Sequence, residues 1–315
     1  MYFPYFRGKQ FELIVIRDMA QMLSENSIYP IIEPVRENLT GLQRALTEVV
    51  EHKGKAIVVV NPQYGDLQGE GAAITEFLNE HFSGSSGIAA GVLLTSDMSV
   101  DDAVQIYNEH EKLSPVFIHN GFTHPKELAE HFGDDLALIN NFFIEQTEQI
   151  IYRRHFNKCS RVLINDSFEQ KRNADYGPVD RFSDLHLTYG DRGLDGYGDF
   201  LIVGDSYSET GGPAYAVAIH LTFINTEQDD VMYIYHFVSD DRSTPTDPAG
   251  KFAQALDKLI EHFDSGDSML YETTAIEEFR ALHDRGHFPG LGVVKKLSMM
   301  HHLETLAIYH GKHNG

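Results

Sequence analysis

The sequence has no tryptophan and only one cysteine in 315 residues. Cys159 therefore has no partner for a disulfide within the chain, which suits a reducing compartment. Basic residues are also scarce: 25 Lys and Arg face 47 Asp and Glu, a formal charge of −22. Affinity for bare nucleic acid comes from cations that displace counterions, so direct binding to DNA or RNA is not expected. Docking on an anionic membrane is disfavoured for the same reason. No apolar run reaches the ~18 residues of a membrane span, and MYFPYFRGKQ does not read as a signal peptide. The expectation is a cytoplasmic protein with one large core. Several motifs are missing as well. There is no GxGxxG, no GxxxxGK[ST], no HxH, no HExxH and no CxxC. These absences remove the simplest dinucleotide, P-loop and zinc readings.

What is present is an alternation. Short runs rich in Ile, Val and Phe read as buried strands, and stretches with a period near 3.6 read as amphipathic helices. The expected strands are Tyr2–Arg7, Ile28–Glu33, Ala56–Asn61, Ile88–Leu94, Pro115–His119, Leu136–Phe142, Arg161–Asp166 and Phe200–Asp205. Helices are expected between them, at Phe11–Ser24, Leu39–His52, Ala72–His81, Ser99–Glu111, Pro125–His131 and Glu145–His155. Continuous apolar strands joined by helices imply a parallel sheet covered on both faces. Eight of them fit a (β/α)8 TIM-like barrel. An open doubly wound sheet is the alternative, without its usual glycine fingerprint. After Asp205 the period changes to two. Ala214–Ile224 and Val231–Val238 read as an inserted antiparallel hairpin, about 214–238, followed by helices at Lys251–Phe263, Thr274–Leu282 and Val294–Tyr309. The expectation is one elaborated barrel domain over residues 1–315.

Several blocks resemble a bacterial family designated only by a locus tag. They are the opening MYFPYFRGKQFEL, the IIEPV strand, FSDLHLTYGDRGLDGYGDFLIVGD, AIHLTF, HFVSDDRSTPTDPAGKF and the closing KKLSMMHHLE. The chain is more distantly similar to the phage and bacterial "Beta protein" family. The resemblance implies a barrel-like α/β fold and a setting in mobile elements or phage defence, sometimes beside a nuclease-like gene. It implies no particular reaction.

Barrel active sites lie at the C-terminal ends of the strands. The polar residues expected there are Arg7, Lys9, Glu33, Asn61, Gln63, His119, Asn120, Asn140, Asn141, Asn165, Asp166, Asp205 and Tyr207. Glu33, His119, Asp166 and Asp205 are the candidates for acid/base or metal-assisted hydrolytic chemistry. Converging carboxylates either raise a pKa or recruit a divalent cation. Arg7, Lys9, Asn61, Asn141, Asn165 and Tyr207 are candidate ligand contacts.

Two loops add further candidates. Arg242 lies in a Ser/Thr/Asp-rich segment before a helix, and Gly211 with Gly212 form a flexible turn, which together suggest an anion site. Capping by Asp247, with Pro248 opening the helix, is the plainer alternative. Asp184, His186, Asp191, Arg192, Asp195 and Asp199 crowd into a polar stretch that reads either as a lid carrying His186 or as a surface loop. His220 and His236 either face the mouth or form a cross-strand pair. His301 and His302 point in different directions on a helix and read as packing residues. Two functions follow. One is an enzyme acting on a phosphorylated or nucleotide-like small molecule. The other is a non-catalytic sensor of such a ligand, or a component whose acidic surface meets a basic protein partner.

Overall fold

A computed structural model of the chain describes residues 1–145, 149–209 and 212–313, the side chain of residue 313 excepted. The described residues fall into two compact units. The first contains Met1–Asp166 and Thr188–Phe200; the second contains Ser167–Leu187 and the chain from Leu201 onward.

The first unit is an α/β barrel. Its strands are β1 (Tyr5–Phe6), β2 (Ile31–Ile32), β3 (Ala56–Val59), β4 (Ile88–Thr95), β5 (Val116–Asn120), β6 (Asn141–Glu145), β7 (Arg161–Asn165) and, after an intervening β8, β9 (Gly196–Asp199). All eight pair in parallel in the order β1-β2-β3-β4-β5-β6-β7-β9. A parallel bridge between Tyr2 and Tyr197 brings the last strand to the first, with the Phe3 N–H donating to the Tyr197 carbonyl at 2.9 Å. Helices α1 (Gln10–Asp18), α2 (Ala20–Glu25), α3 (Thr40–Glu51), α4 (Gly71–Phe82), α5 (Val100–Glu109), α6 (Pro125–Phe132) and α7 (Ile150–Arg153) alternate with the strands. Their starts follow local chemistry. The Ser99 hydroxyl accepts from the Asp102 N–H to cap α5, and Pro125 opens α6. On α3, Leu42, Ala45, Leu46 and Val49 form the buried stripe that the spacing predicts.

Alternation along each strand decides what fills the barrel. Phe3, Tyr5, Ile31, Ile57, Val59, Leu93, Val116, Ile118, Phe142, Val162, Ile164 and Phe200 form one interior cluster. Each large apolar side chain buried there contributes about 2 kcal/mol. The residues between them, such as Phe117, Phe143 and His119, face the surrounding helices.

Two strands differ from expectation. The sixth is Asn141–Glu145 rather than Leu136–Phe142, because Asp135–Leu138 forms a 3-10 turn. The eighth is Gly196–Asp199 rather than Phe200–Asp205. Of the apolar run FLIV only Phe200 stays in the barrel; the chain leaves at Leu201, which has φ 51°. The true eighth strand, GYGD, is glycine-rich because a Cβ on Gly198 would lie 2.0 Å from the Phe3 carbonyl oxygen.

The second unit contains a three-stranded antiparallel sheet in the order β10-β11-β8, with β8 at Val179–Ser183, β10 at Ala218–Asn225 and β11 at Val231–Val238. The expected hairpin forms, with Ala218 opposite Val238 and His220 opposite His236. Besides the short α8 (Leu185–Thr188), its helices are α9 (Pro248–Asp264), α10 (Thr274–Arg285) and α11 (Leu291–His313). Ile219, Leu221 and Phe223 of β10 pack with Leu256, Leu259 and Phe279 in a separate core. The hairpin and terminal helices, expected as elaborations of the barrel, thus have a core of their own. No helix among the described residues is long and apolar enough to cross a membrane.

Candidate functional site

The inward alternation that places Phe3 and Tyr5 in the barrel also points Arg7 toward its axis. The same holds for Glu33 beyond Ile31, Asn61 beyond Val59 and Asn120 beyond Ile118. These side chains meet at the C-terminal mouth.

At the centre is a buried ion pair. Glu33 is 0% exposed and Arg7 4% exposed. One carboxylate oxygen of Glu33 accepts from the Arg7 guanidinium and, at 2.8 Å, from the Tyr5 hydroxyl. The other accepts from the Gln63 backbone N–H at 2.8 Å. The Arg7 guanidinium lies 4.8 Å from the centre of the Tyr64 ring, 5.1 Å from Tyr5 and 5.3 Å from Phe200. Gly8, at φ 62°, turns the chain away, and a Cβ there would lie 2.9 Å from the Glu33 carbonyl oxygen. With three donors on its carboxylate and no exposure, Glu33 is built to hold Arg7 and the loop that follows β3 rather than to exchange protons with a substrate.

Amides ring this pair. Asn61 donates to the Leu93 carbonyl and accepts from the Leu93 N–H, both at 2.8 Å, and so ties the ends of β3 and β4 together. Asn120 Nδ2 donates to Gln63 Oε1 at 3.0 Å. The described residues supply no partner for Gln63 Nε2 or Asn120 Oδ1, and both residues are half-buried. A donor and an acceptor therefore stand side by side at the mouth. Asp166, half-buried, follows the last residue of β7.

Other expected site residues lie elsewhere. His119 faces outward, between the barrel and α7. It stacks on Phe143 at 4.5 Å, donates from Nε2 to Asn141 Oδ1 at 2.9 Å and accepts the Tyr152 hydroxyl at Nδ1 at 2.6 Å. Burial pushes its pKa down to about 3, so it is a neutral, fully bonded core histidine. Asn141 opens β6 instead of following it and is 0% exposed. Asn165 has the strand parity opposite to the inward-facing Ile164. Asn140 lies before β6, and Lys9 stands at the N-cap of α1.

Asp205 and Tyr207 belong to the second unit, since the chain has left the barrel by then. His186 is also in the second unit, buried, donating from Nε2 to the Asp230 carbonyl at 3.0 Å. Arg242 clips backbone carbonyls of Ala174 (2.6 Å) and Ser239 (3.4 Å). Asp247 caps α9 by accepting from the Gly250 N–H at 2.9 Å, the plainer of the two readings. Gly211 lies outside the described residues.

The stretch that reads as a lid or surface loop contributes to both units. It ends β8, carries the short α8 and supplies β9. Asp195 accepts the Arg161 N–H at 2.9 Å, and Asp199 accepts the Tyr2 hydroxyl at 2.6 Å. Among the described residues, no group of three His, Cys, Asp or Glu is arranged to hold a metal ion.

Sequence reasoning passed over Tyr5 and Tyr64. Tyr5 was legible from parity, since it falls two positions before Arg7 on the same strand.

No family model matches the sequence, and no curated protein matches it. Among solved structures, the chain is similar at 8% identity and a TM-score of 0.29 to the enoyl reductase domain of MlnA from the macrolactin biosynthesis cluster of Bacillus amyloliquefaciens. That alignment covers 99% of this chain and 81% of the other.

Proposed function

We propose that this protein is a ligand-binding barrel whose mouth takes a nucleotide-like small molecule, in a sensing rather than a catalytic role. The observation that carries this reading is the Gln63–Asn120 pair. Joined by one hydrogen bond, the two amides leave an N–H donor and a C=O acceptor adjacent at the mouth. A nucleobase or carboxamide edge offers the complementary acceptor and donor. The nearby Tyr64 ring, packed on the Arg7 guanidinium, supplies a flat surface for the rest of such a ligand. Two of the candidate catalytic residues are committed within the barrel unit: the Glu33 carboxylate accepts from Arg7, Tyr5 and the Gln63 N–H, and His119 faces outward with both ring nitrogens bonded.

The test is thermal unfolding against nucleosides, nucleotides and sugar phosphates. A ligand at ~100 times its dissociation constant stabilises the native state by about 2.7 kcal/mol. Stabilisation by a base-containing compound, lost in Asn120→Ala and in Gln63→Ala, is the expected result. Sugar phosphates stabilising the protein as well as nucleotides, with Asn120→Ala indifferent, would refute the base-edge reading. Turnover of any bound compound would refute the sensing role.

A further inference from the structure

The second unit holds a chain of ionisable groups that the barrel does not use. His220 on β10 and His236 on β11 are directly opposed, on the sheet face away from Leu221 and Phe223. Their Nδ1 atoms are 2.7 Å apart. His236 Nε2 lies 3.3 Å from Asp180 Oδ2 on β8, a charge contact without hydrogen-bond alignment. Tyr176 stacks on His236 at 4.5 Å, and the edges of Tyr176 and Phe168 flank His220 at 4.8 and 5.2 Å. Lys171 bonds Asp180 at 3.2 Å and Glu169 at 2.8 Å, and the Lys295 ammonium acts on His220 from α11. These are the charged groups around the pair.

The proton positions follow from elementary constraints. A neutral imidazole has one N–H and one lone pair. The Asp180 carboxylate selects the N–H at His236 Nε2, because a lone pair there would face an anion. His236 Nδ1 must then accept, so His220 Nδ1 must donate. His220 is left with its lone pair on Nε2, and the described residues give that atom no partner. His220 itself is half-buried rather than sealed. A carboxylate placed beside an imidazole biases its tautomer electrostatically, in the sense that carboxylates orient reactive imidazoles in enzymes.

We propose that Asp180, His236 and His220 form a relay presenting His220 Nε2 as the nucleophile of a second site, directed at an anionic phosphoryl compound that Lys295 attracts. In the step, the Nε2 lone pair forms an N–P bond while the bond from phosphorus to its leaving group breaks. The positive charge left on the ring is shared through Nδ1–H with His236 and Asp180. Burial, the His236 ring and Lys295 all hold His220 neutral at physiological pH, so the lone pair is available there.

The experiment uses the full chain and three readouts. Nitrogen-15 spectra should show His220 as the Nδ1–H tautomer and His236 as the Nε2–H tautomer; an Nε2–H His220 would overturn the proposal. Diethylpyrocarbonate should carbethoxylate His220 while sparing His301, whose two nitrogens are bonded to Thr273 and the Thr222 carbonyl. Asp180→Asn and Asp180→Ala should each slow that labelling about tenfold, the loss of the anionic charge beside His236. Labelling at an unchanged rate in both would overturn the relay. Phosphoramidate, which transfers its phosphoryl group as ammonia leaves, should modify His220, and Lys295→Ala should slow this severalfold but leave carbethoxylation unchanged. Carbethoxylation without phosphorylation would overturn the phosphoryl assignment. None of these readouts depends on ligand binding at the barrel mouth.

Discussion

Acidification should dismantle the second unit before the barrel. Burial holds His186 and His301 neutral, with pKa values pushed down to about 4, and His220 down to about 3. In the unfolded chain each returns to about 6.5. The unfolded state therefore binds more protons below pH 6.5, and stability falls as the pH drops from there toward 4. At pH 5 each of these histidines costs about 2 kcal/mol, and the three together about 6 kcal/mol. That is comparable to the whole stability of a typical domain, about 5–15 kcal/mol. In the barrel unit only His119, among the described residues, carries a depression of this size, worth about 2 kcal/mol at pH 5. Hydrogen exchange, corrected for intrinsic rates and read by peptide, separates the two units. Peptides covering β10, β11 and α11 should lose protection between pH 6.5 and 4 while β3 and β5 keep theirs. His301→Gln should lower stability at neutral pH but flatten the pH slope by about 2 kcal/mol between pH 7 and 5. Simultaneous loss of protection in both units, or a flat profile between pH 7 and 5, would refute the reasoning.

Other substitutions test the fold and the mouth. Glu33→Gln leaves the buried Arg7 without its counter-charge and should cost about 3–5 kcal/mol in urea unfolding; a loss under about 1 kcal/mol would show that the pair is not a structural pin. Gly198→Ala puts a Cβ 2.0 Å from the Phe3 carbonyl oxygen and should destabilise the barrel severely, whereas Gly212→Ala meets nothing within 4 Å and should be neutral to melting temperature. His119→Ala should lose about 2–4 kcal/mol from a cavity and two broken hydrogen bonds. It should leave binding at the mouth unchanged when assayed below its melting temperature, since the ring faces the helices.

The barrel was legible because continuous runs such as AIVVV and PVFIH have no other stable home than a sheet covered on both faces. Parity along the strands was equally legible and would have separated Arg7, Glu33 and Asn120 from His119 and Asn165. Reading only strand ends, without their alternation, merged the two sets. The eighth strand was hidden for a different reason. GYGD has poor strand propensity, and its glycines are explained only by a carbonyl contributed from near the start of the chain. FLIV has high propensity, but its burial comes from contacts that periodicity does not report. Asp180 was invisible as a partner of His236, since β8 lies far from β11 in sequence. The cross-strand placement of His220 and His236, by contrast, follows directly from the length of the turn between their strands.

The order in which the chain supplies its strands has a consequence for synthesis. Barrel strand β9 is complete at Asp199, so on emergence the first unit has every strand it needs. Strand β8, made earlier, waits until Val231–Val238 appears before it can pair. At about 5–20 residues per second this leaves an unpaired edge for some seconds. The segment meets that interval with alternating charge: Asp180, Arg181 and Asp184 surround its one buried apolar residue, Phe182. Charged side chains on a waiting edge discourage pairing with another nascent chain. Of these charges, Asp180 is the one that later meets His236, so the residue proposed to orient the relay also guards the strand while it waits.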